Sequence, residues 1–167
     1  MMDGHCRPLL IRAARPDDAA LIHALIGELA DYEKLRHEVD ATVPDLVRDL
    51  FGERPRVFAE IAEWNGEPAG FALWFYNYST FRGGHGLYLE DLFVRPAHRG
   101  KGIGKALIVT LAKRGVAEGL ARFQWSVLDW NQPSIDFYKA LGAKLTPEWV
   151  GCRIEGEALE ALAAVAA

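Results

Sequence analysis

The stretch from residue 57 to residue 94 constrains the fold most, because three β-rich segments follow one another there with only turns or a short loop between them. Residues 57–64 and 69–76 are joined by Asn-Gly-Glu-Pro, a strong hairpin signal. Residues 87–94 form the third segment. Strands joined by such short connections pair antiparallel. The chain is therefore expected to contain a largely antiparallel sheet and not a regular βαβ repeat.

Helical and extended segments alternate on both sides of this stretch. Thr42 and Pro44 precede one apolar helical pattern, and Gly142-Ala143 ends another. The full order predicts a single α/β domain over residues 1–167, with a mixed, mostly antiparallel central sheet flanked by helices (βααβββαβαβ). The other predicted elements are a strand at 9–13, a helix from 19, a helix from 103, a strand at 122–128, a helix at 133–141, a strand at 149–154 and a short C-terminal helix.

Composition excludes several classes of protein. The formal net charge of −4 and a pI near 5.7 argue against a general nucleic-acid binder. Cys6 and Cys152 form no CxxC pair, so neither a disulfide framework nor a thiolate zinc site is signalled, and we expect no metal. Apolar runs are far shorter than the ~20 residues of a membrane span, and the first residues do not resemble a secretory signal. We therefore expect no membrane association and a cytoplasmic location.

A glycine-rich segment, Arg99–Lys105, lies between the predicted strand at 87–94 and the helix that follows it. Backbone N–H groups at such a helix entrance can surround a phosphate. Residues 92–117 carry six bases and no acid, a pattern that also fits a solvated helix face. Two common phosphate motifs fail: Ala106 stands where Walker A needs Ser or Thr, and Lys105 stands where the dinucleotide motif needs its third glycine.

The segment does fit (Arg/Gln)-x-x-Gly-x-Gly, and residues 131–143 resemble Asn-x-x-(Ser/Ala)-x-x-(Phe/Leu)-Tyr-x-x-x-Gly-(Phe/Ala). In this order, the two motifs resemble the GNAT superfamily of acetyl-CoA-dependent N-acetyltransferases. The likeness is closer to its diamine acetyltransferase branch, which includes the spermidine/spermine and thialysine N-ε-acetyltransferases. It spans about residues 7–160. The segments that carry the closer likeness are 28–33, 51–55, 70–72, 87–94 and 127–132.

The resemblance implies transfer of an acetyl group from acetyl-CoA to a primary amine by direct attack in a ternary complex. Asn131 matches a residue that contacts CoA, although simple helix N-capping is the alternative. Leu92 and Val94 would act through their backbone groups. The positions implied to bind acetyl-CoA are Leu92, Phe93, Val94, Arg99, Gly100, Lys101, Gly102, Ile103, Gly104, Lys105, Asn131, Pro133 and Ser134.

Two residues match the catalytic positions of that branch. An amine with a pKa near 10.4 is only about one part in a thousand neutral at pH 7, so a base is useful, and Glu90 matches the base, working through water. Tyr138 matches the donor that protonates the CoA thiolate; a helix tyrosine is otherwise a core aromatic. Asp91 would face away from Glu90 in a regular strand, unless a bulge intervenes. A solvated strand edge is the alternative for the pair.

The amine acceptor is implied to contact Tyr32, Glu33, Glu90, Asp91, Gln124, Trp125 and Ser126. Thr80 and Arg82 stand where the spermidine/spermine enzymes have Asp and Trp, which argues against a long polycation. A small lysine-like amino acid of the thialysine type, or a diamine, is therefore ranked first. His85 is a further candidate contact or proton carrier.

Other functions remain open at this point. Acetylation of a polyamine or of a protein amine would use the same fold, and a non-catalytic acyl-CoA-binding module belongs to a different class. The resemblance also implies a homodimer.

Overall fold

The structure, a computed structural model, describes residues 8–165. The chain divides into two compact units at Ser126, and each is described by itself. The first unit contains β1 (Leu9–Ala13), α1 (Ala19–Glu33), α2 (Val43–Phe51), β2 (Phe58–Trp64), β3 (Glu67–Ser79), β4 (Gly84–Val94), α3 (Ile103–Ala117) and β5 (Phe123–Trp125). The second contains α4 (Gln132–Ala140) and α5 (Gly156–Ala163).

The five strands form one sheet in the order β1-β2-β3-β4-β5. The pairs from β1 to β4 are antiparallel, and β5 is parallel to β4. Asn65 and Gly66 both have positive φ angles, 52° and 83°, as the two-residue turn between β2 and β3 requires. The predicted mixed, mostly antiparallel sheet is confirmed.

Helices cover both faces of the sheet. One face packs against α1 and α2, whose helical periodicity supplies Ile22, Leu25 and Leu46 to a core shared with Ile61 and Phe71. The other face packs against α3 in a second core that includes Trp74, Leu87, Leu89, Ile103, Leu107 and Leu111.

Helix α2 begins directly after Thr42, with Pro44 in its first turn, and Thr42 caps its N-terminus. The Thr42 backbone N–H donates to the Asp45 carboxylate at 3.0 Å, and the Thr42 hydroxyl oxygen accepts from the Asp45 backbone N–H at 3.4 Å. This reciprocal pairing satisfies helix-end N–H groups.

A β-bulge in β4 decides which side chains face which helix. Leu89 pairs with Trp74 and Asp91 pairs with Leu73, so Glu90 has no partner residue on β3. The extra residue reverses the alternation of side chains. Leu89, like Leu92 and Val94 beyond the bulge, therefore packs on the α3 side, whereas Phe93 joins the core on the α1 side.

Several elements differ from the sequence-based expectations. The predicted strand at 149–154 is wrong: these residues have no regular secondary structure and are exposed, and within residues 8–165 the sheet ends at β5. A strand needs hydrogen-bonding partners, which the local sequence cannot supply.

Gly84 and Gly86 belong to β4 instead of a preceding loop, and the strand predicted over 122–128 is shortened to Phe123–Trp125. A Cβ at Gly86 would collide with Asn77 and Arg122, which explains a glycine within the strand.

Within the second unit, α4 begins after Asn131, whose side chain accepts from the Ser134 backbone N–H at 3.4 Å. Asn131 and Tyr138 are both buried. The side chains of 152–165, including those of α5, are exposed. Across residues 8–165, the helices are too short or too polar to cross a membrane.

Candidate active site

The connection from β4 to α3 forms an open, positively charged helix entrance. Gly100 and Gly102 have φ angles of 77° and 76°, a left-handed conformation that turns the chain into α3. Apart from the glycine itself and its two chain neighbours, no heavy atom of the described residues lies within 4 Å of the place where a Cβ would stand at either residue. The first N–H groups of α3, which have no partner within the helix, can therefore be approached by an anion.

Basic side chains surround this entrance and are held by identifiable contacts. Arg99 Nε donates to the Val94 carbonyl at 2.9 Å, and Lys101 Nζ donates to the Ala97 carbonyl at 3.1 Å. The Lys101 ammonium also lies 5.2 Å from the centre of the Trp64 ring. Ile103 is buried and anchors the first turn of α3, whereas Lys105 is exposed. The segment Arg99–Lys105 is thus basic and open, as a phosphate site requires, and its binding of a phosphate stays a prediction.

The strand that leads to this entrance has a free edge. Parallel pairing between β4 and β5 covers Leu87, Tyr88 and Leu89 and then stops, although β4 continues to Val94. Among the described residues, no strand pairs with that edge of β4 from Glu90 onward. Its backbone N–H and C=O groups, including those of Leu92 and the Val94 N–H, can therefore bind an extended ligand with amide groups, whereas the Val94 carbonyl already accepts from Arg99.

The bulge in β4 also creates an acidic cluster, composed of Glu33, Glu90 and Asp91. Asp91 lies on the α1 face, the side of Leu73, and is half-buried, whereas Glu90 is exposed. Burial, followed by the negative charges of Glu90 and Glu33, raises the pKa of Asp91 from 3.8 to about 7. Burial also raises the pKa of Glu33, at the end of α1. The cluster can accept a cation or a proton near neutral pH.

The predicted acceptor residues Gln124 and Trp125 of β5, and Ser126 directly after it, do not share one face. Gln124 Oε1 accepts from Asn77 Nδ2 at 3.0 Å, and the Ser126 hydroxyl lies 2.8 Å from the Tyr88 hydroxyl. Trp125 points to the opposite face, where it packs in the α3 core beside Phe123. Tertiary structure thus makes Trp125 a packing residue and leaves Gln124 exposed.

Two further predicted residues have contacts that the sequence did not indicate. The Tyr32 ring lies 4.9 Å from the Arg99 guanidinium carbon, so this aromatic side chain faces the basic entrance of α3. His85 packs edge-on against Tyr78, with 5.1 Å between ring centres. Thr80 and Arg82 are exposed in the turn between β3 and β4.

In the second unit, the predicted residues lie on α4. Asn131 is the N-cap of α4, so its side chain has the capping role that was the alternative to CoA binding. Pro133 follows in the first turn of the helix, where a proline is well tolerated. Tyr138 is buried, and its ring centre lies 5.3 Å from that of Phe137.

One contact at the site was missed by sequence reasoning. Arg95 forms a bidentate ion pair with Glu28, with Nη2–Oε1 at 2.7 Å and Nε–Oε2 at 3.0 Å. The acid-free run around Arg95 and the acidic helix around Glu28 were both visible in the sequence. Their separation of 67 residues gave no sign that they meet. Among residues 8–165, no group of three or more His, Cys, Asp or Glu side chains is arranged to hold a metal ion.

A five-stranded mixed sheet with a glycine-rich helix entrance after its fourth strand is the arrangement expected of a GNAT acetyltransferase. The sequence model of the Acetyltransferase (GNAT) family matches residues 22–143. The chain belongs to this family and is an N-acetyltransferase. Enzymes of the family use acetyl-CoA as cosubstrate.

Curated relatives cover nearly the whole chain. It is 41% identical over 166 residues to the thialysine N-epsilon-acetyltransferase of Sus scrofa, a match that covers 93% of this chain and 97% of the pig protein. It is 33% identical over 204 residues to the L-ornithine N5-acetyltransferase NATA1 of Arabidopsis thaliana, covering 95% of this chain and 90% of the plant protein.

A solved structure supports the same fold. An integron cassette protein from the mobile metagenome of V. cholerae superposes with a TM-score of 0.79 at 27% identity. That match covers 95% of this chain and 99% of the cassette protein.

Proposed function

We propose that the protein transfers an acetyl group from acetyl-CoA to the primary amine of a small lysine-like amino acid or diamine. One observation carries the proposal: β4 joins an acidic cluster at Glu90 and Asp91 to a basic, open helix entrance at Gly100 and Gly102. An anionic cosubstrate and a cationic acceptor thus have separate sites at the two ends of one short segment. The thialysine and ornithine acetyltransferases among the relatives support an acceptor of this size and charge.

Acetyl-CoA, when bound, supplies a thioester that an amine can attack. We assign its diphosphate to the backbone of Gly100, Gly102, Ile103 and Gly104 and to the bases Arg99, Lys101 and Lys105, because a helix N-terminus with adjacent cations favours such an anion. The free edge of β4 at Leu92, Phe93 and Val94 suits the amide groups of the pantetheine arm. The roles of Asn131, Pro133 and Ser134 in CoA binding rest on the sequence motif.

The acceptor must lose a proton before its nitrogen can attack. The ammonium gives one proton to a carboxylate of the acidic cluster, and the new C–N bond forms as the C–S bond breaks and CoA leaves as a thiolate. The nitrogen then gives its second proton to water, which leaves the neutral amide. Glu90 is the first candidate base. Asp91 is a second candidate because a pKa of about 7 suits proton transfer near neutral pH. Glu33 adds negative charge that attracts the ammonium.

The leaving CoA thiolate needs a proton, and we assign this donation to the Tyr138 hydroxyl. Replacing Tyr138 with Phe removes the hydroxyl and keeps the buried ring. We expect kcat to fall by about 100-fold, the usual size of a general acid's contribution. Tyr76→Phe is a matched control, because Tyr76 donates to Glu118 and has no role in this proposal. Equal activity of the Tyr138 variant and the wild type at every pH would show that another group protonates the thiolate.

The acceptor is identified by CoA release from acetyl-CoA in the presence of thialysine, lysine, ornithine, diamines, polyamines or a peptide amine. We expect the small amino acids to give the highest kcat/KM, because the exposed Arg82 near the start of β4 can attract a carboxylate. Faster turnover of spermidine would favour the polyamine alternative. Tight CoA binding without transfer to any amine would favour a non-catalytic acyl-CoA-binding module. We further propose that residues 1–167 act as one catalytic domain, in a cytoplasmic homodimer.

A further inference from the structure

Two arginines in the connection from β4 to α3 are held by α1, the helix that carries the predicted acceptor residues Tyr32 and Glu33. Arg95 is paired with Glu28 through two hydrogen-bonded oxygens, at 2.7 and 3.0 Å. The Arg99 guanidinium lies over the Tyr32 ring, 4.9 Å from its centre. Glu28 and Tyr32 are four residues apart and therefore lie on the same side of α1. One helix face thus contacts this connection at two points.

Both arginines are also fixed to the ends of strands. Arg95 Nη1 donates to the Pro68 carbonyl at 3.0 Å, and its backbone N–H donates to Ala69 at 2.9 Å. Arg99 donates only its Nε–H, to the Val94 carbonyl at 2.9 Å. Its two Nη groups make no hydrogen bond to residues 8–165. Arg99 is thus oriented by contacts that leave its terminal N–H groups free for an anion.

A ring beneath a guanidinium orients it without using its N–H groups. The cation is attracted to the face of the ring, and this contact restricts the rotation of a side chain that is otherwise flexible. An arginine already held in place loses less conformational freedom when it binds a phosphate. The Phe93 ring, 5.7 Å from the same guanidinium carbon, adds a second aromatic surface.

We propose that Tyr32 is a positioning residue for the cosubstrate: its ring holds the Arg99 guanidinium toward the diphosphate of CoA, and Glu28 supports the same connection through Arg95. This inference rests on the proposed function, which assigns the diphosphate to the entrance of α3. It gives Tyr32 a role on the cosubstrate side, where the family resemblance implied contact with the acceptor. The neighbouring Glu33 remains on the acceptor side.

The test compares Tyr32→Leu, which removes the ring, with Tyr32→Phe, which keeps it. The dissociation constant of CoA is measured by titration calorimetry, and KM is measured for acetyl-CoA, for S-acetylpantetheine and for the amine. We expect Tyr32→Leu to weaken CoA binding by about 3- to 10-fold, as for one partly exposed cation–π contact. Tyr32→Phe should bind CoA within about 2-fold of the wild type. The KM for S-acetylpantetheine, which lacks the diphosphate, should not change.

A double-mutant cycle separates this role from a general structural one. Arg99→Met should weaken CoA binding, and adding Tyr32→Leu should weaken it no further if the ring acts only through Arg99. Additive losses, or a Tyr32→Leu effect confined to the KM of the amine, would overturn the proposal. A loss of S-acetylpantetheine turnover equal to that of acetyl-CoA would overturn it too. A wild-type protein that bound no CoA would instead refute the proposed function itself, and this inference with it.

Discussion

Asp91→Asn is expected to make the protein more stable above neutral pH. Asp91 is half-buried beside Glu90 and Glu33, and burial is the largest cause of its high pKa. In the unfolded chain, this carboxylate ionises in water at no special cost. In the folded protein, ionisation of Asp91 costs free energy, because the side chain is poorly solvated and lies near two other negative charges. Asparagine has the same shape without the charge.

The sign and the size of this stabilisation follow from the pKa values of Asp91 in the unfolded and the folded protein. The folded protein holds the Asp91 proton more tightly than the unfolded chain does, so the contribution of Asp91 to the free energy of unfolding falls as pH rises from 3.8 to about 7. The difference between 3.8 and about 7 corresponds to about 4 kcal/mol at most. Because water reaches part of this side chain, we expect about 2–4 kcal/mol at pH 8 and about 1 kcal/mol or less near pH 4.5.

Urea unfolding, followed by tryptophan fluorescence at both pH values, measures the gain. Glu53→Gln is a matched control, because it removes an exposed carboxylate and should change stability little at either pH. Glu90→Gln should lower the pKa of Asp91, because it removes a neighbouring negative charge. It should therefore increase the free energy of unfolding at pH 8, but by less than Asp91→Asn does. A gain from Asp91→Asn that is equal at both pH values, or a loss at pH 8, would refute the reasoning.

Three further variants test the fold and the helix entrance. Gly70→Ala should cost about 1–3 kcal/mol in urea unfolding, because its Cβ would collide with the Phe93 carbonyl oxygen. Thr42→Ala should cost about 1 kcal/mol through loss of the α2 cap, and an unchanged urea midpoint would contradict the capping role. Gly102→Ala should cost about 1 kcal/mol through its positive φ and weaken CoA binding by about 10-fold. Gly115→Ala, inside α3, is its control and should leave CoA binding unchanged.

Much of the first unit could be predicted because its signals are local. Asn65-Gly66 specifies the turn between β2 and β3, and Thr42 specifies the start of α2. These residues act on the backbone within a few positions of themselves, so no knowledge of the rest of the fold is needed. The predicted strand at 149–154 failed for the opposite reason, since its apolar residues can form a strand only where a partner strand is available.

The arrangement of the candidate site could be predicted only in part. The motif at Arg99–Lys105 indicated a phosphate site, but nothing in the sequence showed that Tyr32 would stack on Arg99. The bulge at Glu90 was equally hidden, because one unpaired residue depends on the register between β3 and β4. That register follows from how both strands pack against the helices.

Apart from the strand expected at 149–154, the sequence by itself determined the order of strands and helices, the glycine-rich entrance to α3 and the residue types available for acetyl transfer. These depend on backbone preferences and on hydrophobic periodicity, which are properties of short segments. Only the tertiary structure decided that Asp91 lies on the α1 face near Glu33 and therefore holds its proton up to about pH 7. A pKa depends on burial and on charges close in space, and residues far apart in the chain supply both.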